Sequence, residues 1–391
     1  MSEEFKVPRK FWLPSVTSQF KICPIPFRVD TYRGCHYGCL FCFARDLTIF
    51  NRTRFKNKPK PEREKTQAWI EGNDPVKFQK WIDKVLAKEE YDYKKPEEVA
   101  FKERIPIKLG SMSDPFPLCE TEERITYSFL KSLCKLDYPV QISTKNPEVF
   151  LSYADEFIGA NIAFNVSCSF IDDDIAKQIE VGSIPTSRRL AAIKKLSDMG
   201  FKVTVRAQPF ILPYSYDTAE RFVKAIKDSG AWAFQTEGMK IRIALTASEK
   251  ILYSRIGDVL GFDIIEYFKT KGVIDKVDRC YNEEDTRKML QLYTDLAKKY
   301  DIKFINADNL IDKKYGCSAE CCGTGCLRNY KIWGGNLRSQ NFPEPEKYST
   351  ELGKCIVNFV RNRDKNTFNK LTLEQAFSEF KDTRTGNKNK K

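Results

Sequence analysis

Past residue 104 the chain repeats one rhythm: a short apolar run, a polar turn, then a longer stretch whose apolar residues recur three or four positions apart. The short runs predict strands, and the longer spacing predicts helices with one buried face. A strand over 105–109 is followed by a helix near 121–135, with Ile125, Phe129, Leu130 and Leu133 on one side. A strand over 138–143 precedes a helix near 147–157, and a strand over 161–168 leads to a helix over 186–199 that Gly200 stops. Next come a strand over 201–207 and a helix opened by Asp217 and Glu220 in capping-box spacing. The rhythm loosens through 232–300 and ends in a strand over 302–306, while 27–32 reads as the first strand.

Alternating strands and helices predict a parallel sheet with helices outside. Their number suits an α/β fold of the partial (β/α)6-type TIM barrel kind, whose active site lies at the carboxyl ends of the strands. The expected organisation is an amino-terminal extension over 1–27, the barrel over 28–310, a cysteine-rich carboxyl-terminal region over 311–379 and a basic tail over 380–391 too polar to pack. A charged insertion over 51–103 interrupts the barrel and carries a helix near 75–88, started by Asp74-Pro75.

Apolar residues make up 41% of the chain, as in a folded globular protein, and no apolar run approaches the ~20 residues of a membrane span. The charged first residues lack a signal peptide's apolar stretch, so the expected location is cytoplasmic, with no membrane partner. In a reducing compartment, 13 cysteines point to metal or redox work instead of disulfides. The net charge of +13 is concentrated in 51–65, where Arg52, Arg54, Lys56, Lys58, Lys60, Arg63 and Lys65 face only Glu62 and Glu64, and in 381–391. A basic arm suits a phosphate-backbone partner, and it equally suits a solvated surface.

Seven cysteines fall into two tight groups. Cys35, Cys39 and Cys42 stand in CxxxCxxC spacing within one short loop. Three thiolates so placed hold three corners of a [4Fe–4S] cube and leave the fourth iron open. A closed zinc site wants a fourth ligand, and the sole histidine, His36, follows Cys35 too directly to bind the same ion. Cys317, Cys321, Cys322 and Cys326 form the second group, with glycines at 316, 323 and 325 that let amide N–H groups approach sulfur. They suit a second [4Fe–4S] cluster, a zinc site, or redox-active thiols, with Cys355 available to complete a shell.

The cysteine run resembles the signature of radical S-adenosylmethionine (SAM) enzymes. Further blocks resemble the spore photoproduct lyase-like branch, often described as DNA repair photolyase-like: Tyr32-Arg-Gly-Cys35, Cys42-Phe-Ala-Arg45, Gly110-Ser-Met-Ser-Asp-Pro115, Ile142-Ser-Thr-Lys145 and the run from Glu180 to Leu190. The resemblance spans about residues 28–215. It implies that SAM chelates the open iron, that one electron from a donor such as flavodoxin or ferredoxin splits a sulfonium C–S bond, and that a 5′-deoxyadenosyl radical abstracts a substrate hydrogen. It also implies Phe41 beside the adenine and Ser111, Asp114, Ser143, Lys145 and Arg189 as SAM contacts. Tyr37 stands where the branch commonly has a histidine, and no cysteine matches the lyase's hydrogen-returning thiol. Cys119 and Cys168, both expected near the barrel mouth, are the candidate donors. The expected substrate is nucleic acid, DNA ahead of RNA. The rival readings are a radical SAM enzyme acting on peptide or protein, and a non-catalytic iron–sulfur or zinc protein that binds nucleic acid.

Overall fold

The structure, a computed structural model, describes residues 7–17, 23, 25–44, 70–242, 244–274, 279–307, 322–333 and 348–355. Among these the central sheet has eight strands: β1 (Ser15–Val16), β2 (Phe27–Arg28), β3 (Ile107–Leu109), β4 (Val140–Thr144), β5 (Ile162–Ser167), β6 (Lys202–Arg206), β7 (Ala233–Thr236) and β8 (Lys303–Asn306). β1 runs antiparallel to β2 at one edge, and β2 to β8 are parallel and lie side by side in chain order. Parallel neighbours require a crossover, and each connection from β2 to β8 passes through at least one helix. The result is a mixed α/β fold on a large parallel sheet. Among the described residues its ladder ends at β1 and β8 without closing into a barrel.

The two faces of this sheet differ because successive side chains alternate. On the helix side Phe164 meets Phe150 at 4.8 Å and Phe201 at 5.6 Å, and Phe234 meets Tyr293 at 5.5 Å. The residues between them, Gln141, Asn165, Thr204 and Gln235, are buried and polar. Asn165 and Gln235 leave both amide atoms without a partner.

The predicted helices recur with shifted ends. Asp74 caps Pro75–Leu86 by accepting from the N–H groups of Val76 and Lys77 at 3.0 Å. The helix expected near 147–157 is split into Pro147–Leu151 and a 3₁₀ turn over Ala154–Phe157. No capping box forms at Asp217 and Glu220: Asp217 ends one short helix, Tyr214–Asp217, and Thr218 precedes the next, Ala219–Asp228, without a side-chain cap. The box forms at Thr246 and Glu249, opening Ala247–Leu260. The expected first strand is broken in two, because Tyr32–Arg33 leaves the main sheet to pair with Glu71–Asn73. The loose stretch between β7 and β8 holds a small antiparallel sheet of Ile241–Arg242, Val273–Ile274 and Arg279–Tyr281, with helices Ala247–Leu260 and Ile264–Lys271.

Segment 322–333 crosses the amino-terminal ends of the strands. The side-chain amide of Asn161, just before β5, donates to the Arg328 carbonyl and accepts from the Arg328 N–H, both at 2.9 Å, and Arg328 pairs with Asp137, before β4, at 2.8 Å. Arg104, before β3, donates to the Asn329 carbonyl at 2.7 Å, and Lys331 pairs with Glu103 at 2.8 Å. Basic segment 51–65, the tail over 380–391 and Arg45 lie outside the described residues. No helix among the described residues is long and apolar enough to cross a membrane.

Candidate functional site

The CxxxCxxC loop leaves Tyr32–Arg33 and sits on the loops that follow β3, β4 and β5, at the carboxyl ends of the strands. Two glycines turn it, Gly34 at φ +88° and Gly38 at φ +60°, where a side chain would strain the backbone. It is tied down at both halves. The N–H of Gly182 donates to the Tyr37 carbonyl at 2.7 Å, and that of Leu40 to the Ile179 carbonyl at 2.9 Å. Gly182 has to be glycine, since a Cβ there would stand 2.6 Å from the His36 carbonyl oxygen. The Tyr37 hydroxyl donates to the Phe116 carbonyl at 2.9 Å and so joins the cysteine loop to the loop after β3.

The three thiols lie close enough to act on one another. Burial, the Asp114 carboxylate and the Cys42 sulfur push Cys35 up to about 12. Burial raises Cys39 further, with Cys42 and Cys35 adding to it and Lys145 opposing. Yet among the described residues no three His, Cys, Asp or Glu side chains approach closely enough to hold a single metal ion. Three thiolates in one loop are the donor set that a [4Fe–4S] cube takes, one on each of three irons. His36 is half-buried, with Nε2 unpartnered, and burial lowers its pKa so that it stays neutral.

Beside Cys39 stands a buried charge cluster. Glu180, fully buried, pairs with Lys145 at 3.1 Å and with Arg189 at 2.5 Å, and accepts from the Ser169 hydroxyl at 3.1 Å. Burial alone would raise Glu180, but Arg189 and Lys145 outweigh it and hold the carboxyl below its ordinary range. Burial alone would lower Lys145, but Glu180 and the Cys39 sulfur raise it, so the ammonium keeps its charge. Lys145 also lies 5.6 Å from the centre of the Phe41 ring, a cation–π distance.

The predicted residues divide accordingly. Lys145, Phe41 and Cys168 come together with the cysteine loop; Cys168 is fully buried, raised to about 11 by burial while Arg189 opposes. Arg189 is also there, but its guanidinium already serves the carbonyls of Ile184 and Ser167, the Ser183 hydroxyl and Glu180. It therefore acts on a ligand through Glu180 and Lys145. Asp114 ties loops together, accepting from the Thr144 hydroxyl and the Lys145 N–H at 2.7 Å and from the Phe116 N–H at 3.0 Å. Ser143 accepts from Gln141 at 3.0 Å, and the Ser111 N–H donates to Asp30 at 3.0 Å. Cys119 is half-buried, raised to about 12 by burial and by Glu120, in a separate acidic surrounding. The sequence gives Glu180 no role of its own, because one glutamate in a polar run carries no sign of burial.

The second cysteine group lies elsewhere. Cys317 and Cys321 fall outside the described residues. Cys322 is buried against Cys23, whose sulfur accepts from Lys108 of β3 at 3.0 Å. Gly323 packs on the inner face, where a Cβ would stand 2.6 Å from the Thr204 hydroxyl. Cys326 donates to the Gly323 carbonyl at 3.3 Å, and Cys355 donates to the Tyr93 carbonyl at 2.9 Å. Cys322 and Cys326 thus belong to the amino-terminal end of the sheet, opposite Cys35, Cys39 and Cys42.

No family model matches the chain. It is 23% identical over 231 residues to uncharacterized proteins of Mycobacterium bovis and of two strains of Mycobacterium tuberculosis, and the match covers 56% of this chain. The chain spans 60% of the length of these curated relatives. Among solved structures it is similar to a spore photoproduct lyase variant with bound AdoMet and dinucleoside spore photoproduct, at a TM-score of 0.48 and 13% identity, covering 75% of this chain and 80% of that one. Streptococcus suis SuiB bound to S-adenosylmethionine is similar at a TM-score of 0.46 and 12% identity, covering 75% of this chain and 53% of that one.

Proposed function

We propose that the protein is a radical SAM enzyme in which Cys35, Cys39 and Cys42 hold a [4Fe–4S] cluster at the carboxyl edge of a partly curled barrel, and that its substrate is nucleic acid, DNA ahead of RNA. The observation that carries this reading is the buried pairing of Lys145 and Arg189 with Glu180 directly beside the cysteine loop. When bound and reduced by an external electron donor, the cluster would supply one electron to the sulfonium bond of SAM and thereby a hydrogen-abstracting radical.

The chain's own part is to hold and shield. Cys35, Cys39 and Cys42 supply the three thiolates. Lys145 presents a fixed positive charge to a carboxylate, and Glu180 with Arg189 keeps that ammonium in place. Phe41 offers a ring face to an adenine. Leu40 and Phe41 belong to an apolar cluster with Phe170, Ile179, Ile211 and Met239 that keeps water from the loop. Cys168, buried beside Arg189, serves in this reading as the thiol that returns a hydrogen atom. A net charge of +13 favours an acidic substrate.

Anaerobic reconstitution with iron and sulfide, followed by dithionite and SAM, should yield 5′-deoxyadenosine, and Cys39→Ala should abolish both the loop's iron and the product. Zinc in place of iron at these cysteines, in anaerobically prepared protein, would overturn the proposal. Binding to oligonucleotides should weaken steeply with added salt; salt-insensitive binding of a peptide in their stead would reject the nucleic-acid assignment.

A further inference from the structure

The loops after β6 and β7 meet the helices Ile264–Lys271 and Glu283–Lys299 around a cleft of about 390 Å³, open mouth included. Its walls are flat and apolar, made by Phe210, Phe262, Tyr267, Phe268, Met239 and Met289. Of its polar groups, the Thr286 hydroxyl donates to the Asn282 carbonyl at 2.6 Å, and the Asn282 side chain bridges the Asp285 N–H and the Lys271 carbonyl. Two remain. The Tyr267 hydroxyl is buried with no partner among the described residues. Among the described residues no side chain donates to the Asp285 carboxylate, and the nearby Lys288 is paired with Glu284 at 2.6 Å.

Ile211, Met239, Ile264 and Phe268 belong to the apolar cluster that contains Leu40 and touches Phe41, so the cleft adjoins the cysteine loop. Phe210 of its wall packs on Tyr293 at 5.7 Å.

We propose that this cleft takes one base of the substrate strand, specifically a base carrying N–H donors on its edge, which the nucleic-acid reading above presupposes. Aromatic walls receive a flat ring in a sequence-tolerant way. An acceptor-only carboxylate selects amino-bearing edges, as acidic side chains do with cytosine. Thymine and uracil bring a single ring N–H and are the disfavoured bases. A lysine side chain would satisfy the same carboxylate, and its displacement of the probe is one of the outcomes of the test below.

The test is fluorescence titration of the full chain with a single-stranded trinucleotide carrying 2-aminopurine, without SAM or reductant. Saturable quenching is expected, unchanged by excess S-adenosylhomocysteine. Asp285→Asn should weaken it at least about tenfold. Tyr267→Phe should also weaken it while melting no lower than wild type, because it removes an orphaned buried hydroxyl; that separates lost binding from lost folding. The assignment is overturned if quenching is absent, if Asp285→Asn leaves it intact, if S-adenosylhomocysteine abolishes it, or if a lysine tripeptide displaces the trinucleotide. Cys39→Ala should bind the probe as wild type does, so failure here leaves the radical chemistry standing, and failure there leaves this cleft standing.

Discussion

Glu180 is the residue on which the candidate site turns. It is fully buried and pairs with two cations, Lys145 and the fully buried Arg189. Removing one partner of such a group leaves uncompensated charge inside the protein, at a cost of about 3–5 kcal/mol. Glu180→Gln should therefore lower the unfolding free energy by that amount, read as a lower denaturant midpoint at unchanged slope. Glu148→Gln, which breaks the exposed pair with Arg188, should cost under about 1 kcal/mol. Equal losses in the two variants would show that Glu180 is no buried keystone. At this scale the sequence was legible where a motif states its own chemistry, as in the spacing of Cys35, Cys39 and Cys42. It was mute where burial creates the chemistry, as at Glu180, at the Asp30 carboxylate under Ser111, and at the Tyr267 hydroxyl.

At the scale of elements, local rules held wherever the relevant partner is a near neighbour in the chain. Asp74 caps its helix through two N–H groups within three residues, so Asp74→Ala should cost about 1 kcal/mol in thermal or chemical unfolding, and Asp74→Ser should recover most of it. The Asp217/Glu220 spacing misled because the chain there closes one short helix and starts another at Thr218, so the carboxylate never reaches the N–H it would cap. The first strand misled for a related reason. Tyr32 is drawn out of the main sheet by its pairing with Glu71–Asn73 and by its hydroxyl's bond to buried Glu120. Both forces come from residues distant in sequence.

Over the whole molecule the sheet has two chemically different ends. The cysteine loop and the buried Glu180 cluster occupy the carboxyl end, and segment 322–333 braces the amino end. Glu103 is one fastening of that brace, accepting from Lys331, Tyr91 and Ser349. Burial alone would raise its pKa, but those three donors outweigh it and hold the carboxyl below its ordinary 4.5. A depressed folded value means that this stabilisation is fully present above about 4.5 and is lost as pH falls through the lower value. Hydrogen exchange in 328–333 and 349–355, relative to the core strands, should rise between pH about 6 and pH about 3.5. Glu103→Gln should show the looser behaviour at both. Unchanged relative exchange would remove Glu103 as the fastening.

The sequence by itself determined the alternation of strand and helix, the parallel sheet that alternation requires, and the three thiols of one loop, since each depends on residues a few positions apart. Only the tertiary structure decided which strands meet in chain order, that Cys322 lies against Cys23 at the far end from Cys39, and that Glu180 is buried between two cations. Those outcomes depend on which distant segments exclude water from one another, and a local pattern of apolar and polar positions does not encode that partner.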